Sequence, residues 1–174
     1  MNLFQEKLLN LFGSYKDFPK PGILFCDILP VLRNSDIFSE LIKNMSANSV
    51  IGDSEALVAI DARGFIFGTG ISLLTKKPLI LARKPGKLPG ELISGSYKLE
   101  YGENILCLQK ESIEKYNKFS IVDDLLATGG TASCVEKMLE NEGKIITGLS
   151  VVVELKELEG HKKINSKVNS EITL

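Results

Sequence analysis

The sequence predicts an α/β protein built on a mostly parallel, twisted sheet flanked by helices. Short apolar runs suited to buried strands recur at 56–60, 78–82, 119–122 and 144–155. Stretches with the apolar spacing of helices lie between them, and one precedes them at 37–45. Because alternating strands and helices form parallel sheets that bind ligands at the carboxyl ends of their strands, the loops after these runs are the candidate functional segments.

Size and composition indicate one domain, and they exclude several classes of partner. The chain has 174 residues, 21 basic and 22 acidic side chains and a net charge of −1, so no overall charge attracts nucleic acid or a membrane. It has no run of about 18 apolar residues that could span a membrane. Cys26, Cys107 and Cys134 are odd in number and widely spaced, which argues against disulfides and a zinc site. We therefore predict a single cytoplasmic domain spanning 1–174.

The first part of the chain predicts two helices separated by an irregular loop. An amphipathic helix at 3–12 should stop at Gly13. Three prolines and a glycine at 17–30 rule out a regular helix or a central strand there and predict a rigid loop. The second helix should be capped by Ser35 or Asp36.

The middle of the chain alternates strands with polar loops. The predicted elements are a strand at 56–60, a loop at 61–64, a helix from Phe65, a strand at 78–82, a basic segment at 83–90, a polar segment at 94–102, a strand at 104–109 and a polar connection at 111–116. Arg63 lies where α/β sheets bind ligands, although it could equally be a solvated surface residue. The cations of the basic segment could neutralise a polyphosphate or form a solvated turn. Glycines around the polar segment suit a mobile flap, a β-hairpin or both.

The stretch 119–132 carries the densest chemistry. A buried strand should end at Asp123 and Asp124, and a Thr-Gly-Gly-Thr turn at 128–131 leads into a helix that stops at Gly143. Backbone N–H groups and the helix dipole at such a turn favour a phosphate. The two carboxylates instead suit the vicinal hydroxyls of a sugar or a magnesium ion. A ribose 5-phosphate would satisfy both halves, whereas an ordinary strand, polar turn and helix is the simpler alternative.

The last part of the chain contributes a strand and a weakly patterned tail. The apolar run at 144–155 is broken at Gly148 and predicts the last central strand, with a short strand possible at 171–174. His161 has no paired acid or nucleophile pattern, so we predict a surface residue without a catalytic role. The sequence contains neither a P-loop nor a complete dinucleotide fingerprint.

Several motifs between residues 17 and 155 resemble the adenine phosphoribosyltransferases, a group of the type I phosphoribosyltransferases. Val-Asp-Asp-Leu-Leu-Ala-Thr-Gly-Gly-Thr at 122–131 resembles the signature for phosphoribosyl pyrophosphate (PRPP). The segments 18–28, 83–89 and 96–102 resemble the adenine pocket, the Arg-Lys-x-Gly-Lys-Leu-Pro motif and the Ser-Tyr-x-Leu-Glu-Tyr-Gly motif of these enzymes, and 61–64 resembles their pyrophosphate loop. The resemblance implies purine salvage, in which adenine and PRPP give AMP and pyrophosphate. It also implies a homodimer, magnesium bound through PRPP with no direct protein ligand, and a small hood formed by about 17–30 and the C-terminal region.

The resemblance also implies roles for individual residues. It makes Glu100 the group that exchanges a proton with adenine, and Arg63 and Lys87 the other catalytic residues. It predicts a cis peptide bond at Asp61–Ala62. The PRPP- and AMP-binding residues that it implies are Asp123, Asp124, Ala127, Thr128, Gly129, Gly130, Thr131, Lys84 and Tyr101. The adenine-binding residues that it implies are Leu24, Phe25, Cys26 and Leu155.

Some of these roles leave alternatives open. Composition alone favours packing in the core for Leu24 and Phe25, and Leu155 is equally suited to a core position. The family commonly has Arg where this chain has Cys26. If the backbone reads adenine there, selectivity is kept; if the Arg side chain holds the base or a closing loop, affinity is weaker here. A PRPP-binding regulator without turnover and a transferase for another purine base are the alternative functions.

Overall fold

The computed structural model describes residues 1–18, 20–22, 24–99 and 102–174. The chain divides into two compact units, Met1–Asn44 and Met45–Leu174, and each is described by itself. The predicted single domain, with a hood formed by about 17–30 and the C-terminal region, stays a prediction.

The first unit begins with a helix and a two-stranded antiparallel ribbon. Helix α1 (Leu3–Asn10) starts with a reciprocal pair of bonds, in which Asn2 and Gln5 each donate a backbone N–H to the other's side chain at 2.9 Å. Strand β1 (Gly13–Lys16) pairs with β2 (Leu24–Asp27). The prediction of an irregular loop over 17–30 was therefore wrong for β2, because Pro21 precedes this strand and Pro30 follows it. A short 3₁₀ helix follows at Leu29–Arg33.

The second predicted helix is present as α2 (Ser35–Ala47), but its N-terminal capping residue differs from the prediction. The side chain of Asn34 accepts a hydrogen bond from the backbone N–H of Ile37 at 3.1 Å, so Asn34 takes the capping role predicted for Ser35 or Asp36. Leu41 on this helix is fully buried, as its apolar spacing predicts.

The second unit contains the main sheet. Its elements are α3 (Ser49–Gly52), β3 (Ala56–Ile60), α4 (Gly64–Thr75), β4 (Leu79–Ala82), β5 (Leu92–Leu99), β6 (Gly102–Gln109), α5 (Lys110–Glu114), β7 (Lys118–Leu126), α6 (Gly130–Asn141), β8 (Ile145–Glu154) and β9 (Val168–Thr173). In the described chain the main sheet has five strands in the order β4-β3-β7-β8-β9, and all neighbouring strands are parallel. This confirms the predicted α/β class. Strand β9 confirms the predicted short strand at 171–174, although it begins earlier, at Val168, and ends at Thr173.

Helices cover both faces of this sheet. Val58 and Ile60 on β3 belong to the same buried cluster as Val135 on α6. Between them in sequence, Ala59 faces the other way, and a Cβ added at Gly68 on α4 would lie 2.7 Å from its Cβ atom. Alternate residues of one strand thus pack against different helices, which explains why the run 56–60 is apolar throughout.

Strands β5 and β6 form an antiparallel hairpin beside the main sheet. The hairpin is joined to the end of β4 by a pair of backbone hydrogen bonds between Arg83 and Cys107, at 3.0 and 2.7 Å. This confirms the hairpin interpretation of 94–102 for the residues that the structure describes. The predicted polar connection at 111–116 begins as helix α5, since Lys110–Glu114 is helical.

Strand β7 continues past the point at which the sequence predicted its end. Both Asp123 and Asp124 lie within it, and it pairs with β8 as far as Leu126. Its pairing with β3 ends earlier, at Val122. The predicted break at Gly148 is a local shift of register, and β8 continues through it. No helix in the described ranges has the length and apolar character needed to cross a membrane.

Candidate functional site

The strand order creates a crevice between β3 and β7. From one edge of the main sheet to the other, its strands are the second, first, third, fourth and fifth in the chain. The winding of the sheet therefore reverses between β3 and β7, and the loops that follow these two strands diverge. Ligands of open α/β sheets bind at such a reversal, outside the carboxyl ends of the strands.

An ion pair joins the two strand ends across this reversal. The Nε atom of Arg63, after β3, lies 2.7 Å from Oδ2 of Asp124 on β7. The Asp124 side chain is 6% exposed and the Arg63 side chain 36%. This Oδ2 atom is buried and accepts no hydrogen bond from any described residue, so the contact is a close approach of charges rather than an aligned N–H···O bond. Two of the predicted site residues are thus brought together directly.

The carboxyl group of Asp123 lies in an environment that disfavours its charged form. One of its carboxylate oxygens accepts a hydrogen bond from the backbone N–H of Asp124 at 2.9 Å. Burial, and then the neighbouring Asp124 charge, raise the pKa of Asp123 well above its usual range, while Arg63 opposes this shift. The pair therefore favours partners that donate hydrogen bonds or carry positive charge.

The start of helix α4 packs tightly against this acidic pair. A Cβ atom added at Gly64 would lie 2.8 Å from the carbonyl oxygen of Val122 and 3.0 Å from Oδ1 of Asp123. Glycine is therefore required for the helix to approach β7 so closely. The peptide bond Asp61–Ala62, two residues earlier, is cis, which confirms the prediction made from the resemblance.

Asp61 and Arg83 form a second acid–base pair that the sequence interpretation did not single out. The Nε atom of Arg83 lies 3.3 Å from Oδ2 of Asp61, and its guanidinium carbon lies 5.6 Å from the ring centroid of Phe65. The sequence shows Arg83 only as one cation of the basic segment. Its position directly after β4, in a loop at the same edge of the sheet as the loop that carries Arg63, was the signal available.

Lys84 and Lys87 lie in the exposed turn that follows β4. Gly86 between them has φ of +77°, a conformation that glycine adopts without strain. Among the described residues, neither lysine side chain forms a hydrogen bond or an ion pair. The two lysines follow Arg83 in the chain, and in the described residues neither forms an ion pair or hydrogen bond with the acidic pair. Their charges are therefore available to an anionic ligand.

The turn between β7 and α6 presents a helix N-terminus without a side-chain cap. Gly129 has φ of +77° and occupies the cap position, and no described side chain bonds to the first turn. Helices α1 and α3 are capped by Asn2 and Asn48, whereas α4 and α5, like α6, have no side-chain cap from any described residue. The first backbone N–H groups of α6 have no partner within the helix, so they remain available at Gly130 and Thr131. Ala127 and Thr128 complete the turn and have half-buried and exposed side chains.

The residues predicted to bind adenine lie in different parts of the chain. Leu155 directly follows β8 and donates its backbone N–H to the carbonyl of Leu126 at 2.9 Å, which places it beside the end of β7. Leu24, Phe25 and Cys26 lie in β2 of the first unit. The ring of Phe25 makes an edge-to-face contact with Phe18, with centroids 5.1 Å apart. The predicted residues Glu100 and Tyr101 lie outside the described residues.

A sheet of this order, with an acidic pair and an uncapped glycine turn at its reversal, matches the type I phosphoribosyltransferase fold. An adenine phosphoribosyltransferase from Thermoanaerobacter pseudethanolicus superimposes with a TM-score of 0.90 at 36% identity, covering 98% of this chain and 99% of that one. The enzyme from Saccharomyces cerevisiae, solved with adenine and an imino-altritol bisphosphate, gives a TM-score of 0.86 at 32% identity, with 96% and 97% covered.

Sequence comparison defines the family more narrowly. The adenine phosphoribosyltransferase of Prochlorococcus marinus strain MIT 9215 is 56% identical over 170 residues, which cover 98% of this chain and 99% of the relative. No protein-family model matches the chain. On this similarity, the chain belongs to the adenine phosphoribosyltransferase family, and it is a transferase of purine salvage.

Proposed function

We propose that this chain transfers the 5-phosphoribosyl group of PRPP to adenine, giving AMP and pyrophosphate, through the residues at the reversal between β3 and β7. The observation that carries this proposal is the Arg63–Asp124 contact of 2.7 Å beside the uncapped turn of α6. Three kinds of group thus meet at one edge of the sheet. They are a cation suited to pyrophosphate, carboxylates suited to ribose hydroxyls, and backbone N–H groups suited to a phosphate.

In the proposed mechanism, each half of PRPP is held by groups of complementary chemistry. The turn Ala127–Thr131 binds the 5-phosphate through backbone N–H groups. Asp123 and Asp124 accept hydrogen bonds from the ribose hydroxyls. Arg63, Lys84 and Lys87 neutralise the pyrophosphate. Binding energy from the remote 5-phosphate then orients the anomeric carbon for reaction.

The chemical step exchanges one bond at the anomeric carbon for another. The bond to the pyrophosphate oxygen breaks as positive charge develops on the sugar, which the acidic pair stabilises. A ring nitrogen of adenine bonds to the same carbon, and the proton at the other nitrogen of its imidazole edge passes to Glu100. We propose that Tyr101 closes over the site and excludes water.

We propose that Phe25, in the first unit, packs on a face of adenine and that the backbone of Leu24 and Cys26 reads its edge. For Leu155, in the second unit, the adenine-binding role that the resemblance implies stays part of the proposal. Backbone groups two residues apart in a strand lie on the same edge, so Leu24 and Cys26 can read one edge of the base together. Recognition by backbone groups does not depend on the side chain at 26, which favours retained adenine selectivity despite the cysteine.

We propose magnesium as the cofactor, bound through PRPP. The parts of the chain that the structure describes contain no group of three or more acidic, histidine or cysteine side chains that could hold a metal ion. Two adjacent carboxylates with the raised pKa of Asp123 nevertheless fit a cation held mainly by its substrate. When bound, magnesium supplies positive charge to the leaving pyrophosphate. The homodimer that the resemblance implies and the cytoplasmic location predicted from the sequence remain part of the proposal.

The test is product formation from PRPP and magnesium with adenine, hypoxanthine, guanine and xanthine in parallel. Turnover with adenine alone is expected. Turnover with another base would refute the roles given to Phe25, Cys26 and Glu100 but not the PRPP site. Binding of PRPP without any turnover would instead indicate a regulator.

A further inference from the structure

Gly160 lies against the main chain of the turn that joins β7 to α6. A Cβ atom added at Gly160 would collide with the carbonyl oxygen of Ala127, and it would lie 2.9 Å from the backbone nitrogen of Gly129. The contact is reciprocal, because a Cβ added at Gly129 would collide with the carbonyl oxygen of Gly160 and lie 3.1 Å from its Cα atom. Two glycines therefore allow two stretches of backbone to touch, which no other residue pair would permit.

The segment that contains Gly160 is held from two sides. Next to it, Nδ1 of His161 lies 2.8 Å from Oε1 of Glu154, at the carboxyl end of β8. A few residues further on, the fully buried carboxylate of Glu136 on α6 accepts hydrogen bonds from the backbone N–H groups of Asn165 and Ser166, both at 2.9 Å. Charge-assisted bonds of this kind are among the stronger contacts in proteins. The segment is thus fixed to the sheet and to the helix that follows the turn.

We propose that Gly160 is a positioning residue for the phosphate-binding turn, and that the His161–Glu154 contact holds it in place. This inference rests on the proposed function, in which the turn binds the 5-phosphate of the ribose. Gly160 lies against the backbone of the turn at Ala127 and Gly129. A side chain at 160 must displace these backbone atoms, and displacements of about 1 Å at a binding site are enough to cost much of its function.

The direct test is Gly160→Ala, with Gly52→Ala as the matched control. Gly52 undergoes the same chemical change, but an added Cβ there would meet no described atom within 4 Å beyond its own helix and chain neighbours. Binding of ribose 5-phosphate and of magnesium pyrophosphate is measured separately by calorimetry. Gly160→Ala is expected to weaken the binding of ribose 5-phosphate by roughly tenfold or more. It should change the affinity for pyrophosphate by no more than about twofold, because Arg63, Lys84 and Lys87 lie in other loops. Gly52→Ala should change neither.

A second variant keeps the test decisive if Gly160→Ala does not fold. His161→Ala removes the contact with Glu154 without adding atoms near the turn, and it should weaken ribose 5-phosphate by several-fold while pyrophosphate binding is kept. His161→Arg, which can still donate to Glu154, should restore most of the affinity.

Two results would overturn the inference. One is wild-type affinity for ribose 5-phosphate in the folded variants, and the other is a parallel loss for both ligands, which would indicate a general structural role. If the wild-type protein binds pyrophosphate but no ribose 5-phosphate, the assignment of the turn in the proposed function is itself wrong, and the inference falls with it.

Discussion

Arg63→Ala should destabilise the ligand-free protein, because it removes the cation beside the buried carboxylate of Asp124. The Asp124 side chain is 6% exposed, and the variant would remove the guanidinium that lies 2.7 Å from its Oδ2 atom. A buried carboxylate without a partner loses its solvation and gains nothing in return.

The magnitude follows from the exposure of the two partners. Loss of one partner from a buried pair costs about 3–5 kcal/mol, whereas exposed pairs contribute about 0–1 kcal/mol. Arg63 is 36% exposed, so water screens one side of this pair and the cost should fall between these limits, at about 2 kcal/mol. For a chain of this length that corresponds to a decrease in Tm of about 4–8 °C.

A double-mutant cycle measures this interaction. The free energy of unfolding is determined at pH 7 for Arg63→Ala, Asp124→Asn and the double variant. Asp124→Asn should restore part of the stability that Arg63→Ala loses, because a neutral amide needs no counter-charge. Arg33→Ala serves as control, since Arg33 is exposed and pairs with no carboxylate in the described chain. If Arg63→Ala stays within about 0.5 kcal/mol of the wild type, or the two costs simply add, the reasoning is wrong.

Three further predictions concern the same site. The folded-state pKa of Asp123 is raised above the ordinary value of 3.8, so its contribution to stability is present below that value and is lost as the pH rises through the folded-state pKa. Asp123→Asn should therefore raise the Tm of the ligand-free protein above that of the wild type at pH 7 but not below pH ~4. A variant with the same Tm as the wild type at pH 7 would contradict this. Glu100→Ala should lower kcat with adenine by roughly 10²-fold or more, and an unchanged kcat in steady-state assays would remove its role. Lys87→Ala should raise the KM for PRPP by about tenfold and leave that for adenine nearly unchanged, whereas equal increases would point to a folding defect.

The strands and helices could be predicted where the pattern of the sequence had no competitor. The run 56–60 contains apolar residues alone, and the structure gives β3 these same bounds. The end of β7 could not be predicted, because Asp123 and Asp124 look like the end of a buried strand. Their strand continues because β8 still offers it a pairing edge, from Leu125 opposite Val153 onward. Such a tertiary contact is absent from the local sequence.

The positions of the candidate loops could be predicted from the sequence, but not the contacts between them. The motifs locate Arg63 and Asp124 separately, and only the order of the strands brings them within 2.7 Å. Gly160 gave no signal, since it belongs to no motif and its importance lies in a backbone contact with a distant turn. The cap of α2 was missed for a different reason. Asn34, Ser35 and Asp36 are all good capping residues, and local sequence does not choose among them.

Three kinds of group without a described hydrogen-bond partner occur at the carboxyl ends of β4 and β7, which a structure selected only for stability would avoid. The Oδ2 atom of Asp124 is buried without a hydrogen-bond donor, and the first turn of α6 has no side-chain cap in the described chain. Lys84 and Lys87 have no described anionic partner. Each group lacks what a phosphorylated sugar carries, namely hydroxyl donors for the carboxylate and phosphate oxygens for the N–H groups and the lysines. In the proposed function, one ligand would satisfy all of them together. A ligand that lacks either the hydroxyls or the phosphates would then leave part of the site unpaired, and the cost of that unpaired part would give the site its selectivity.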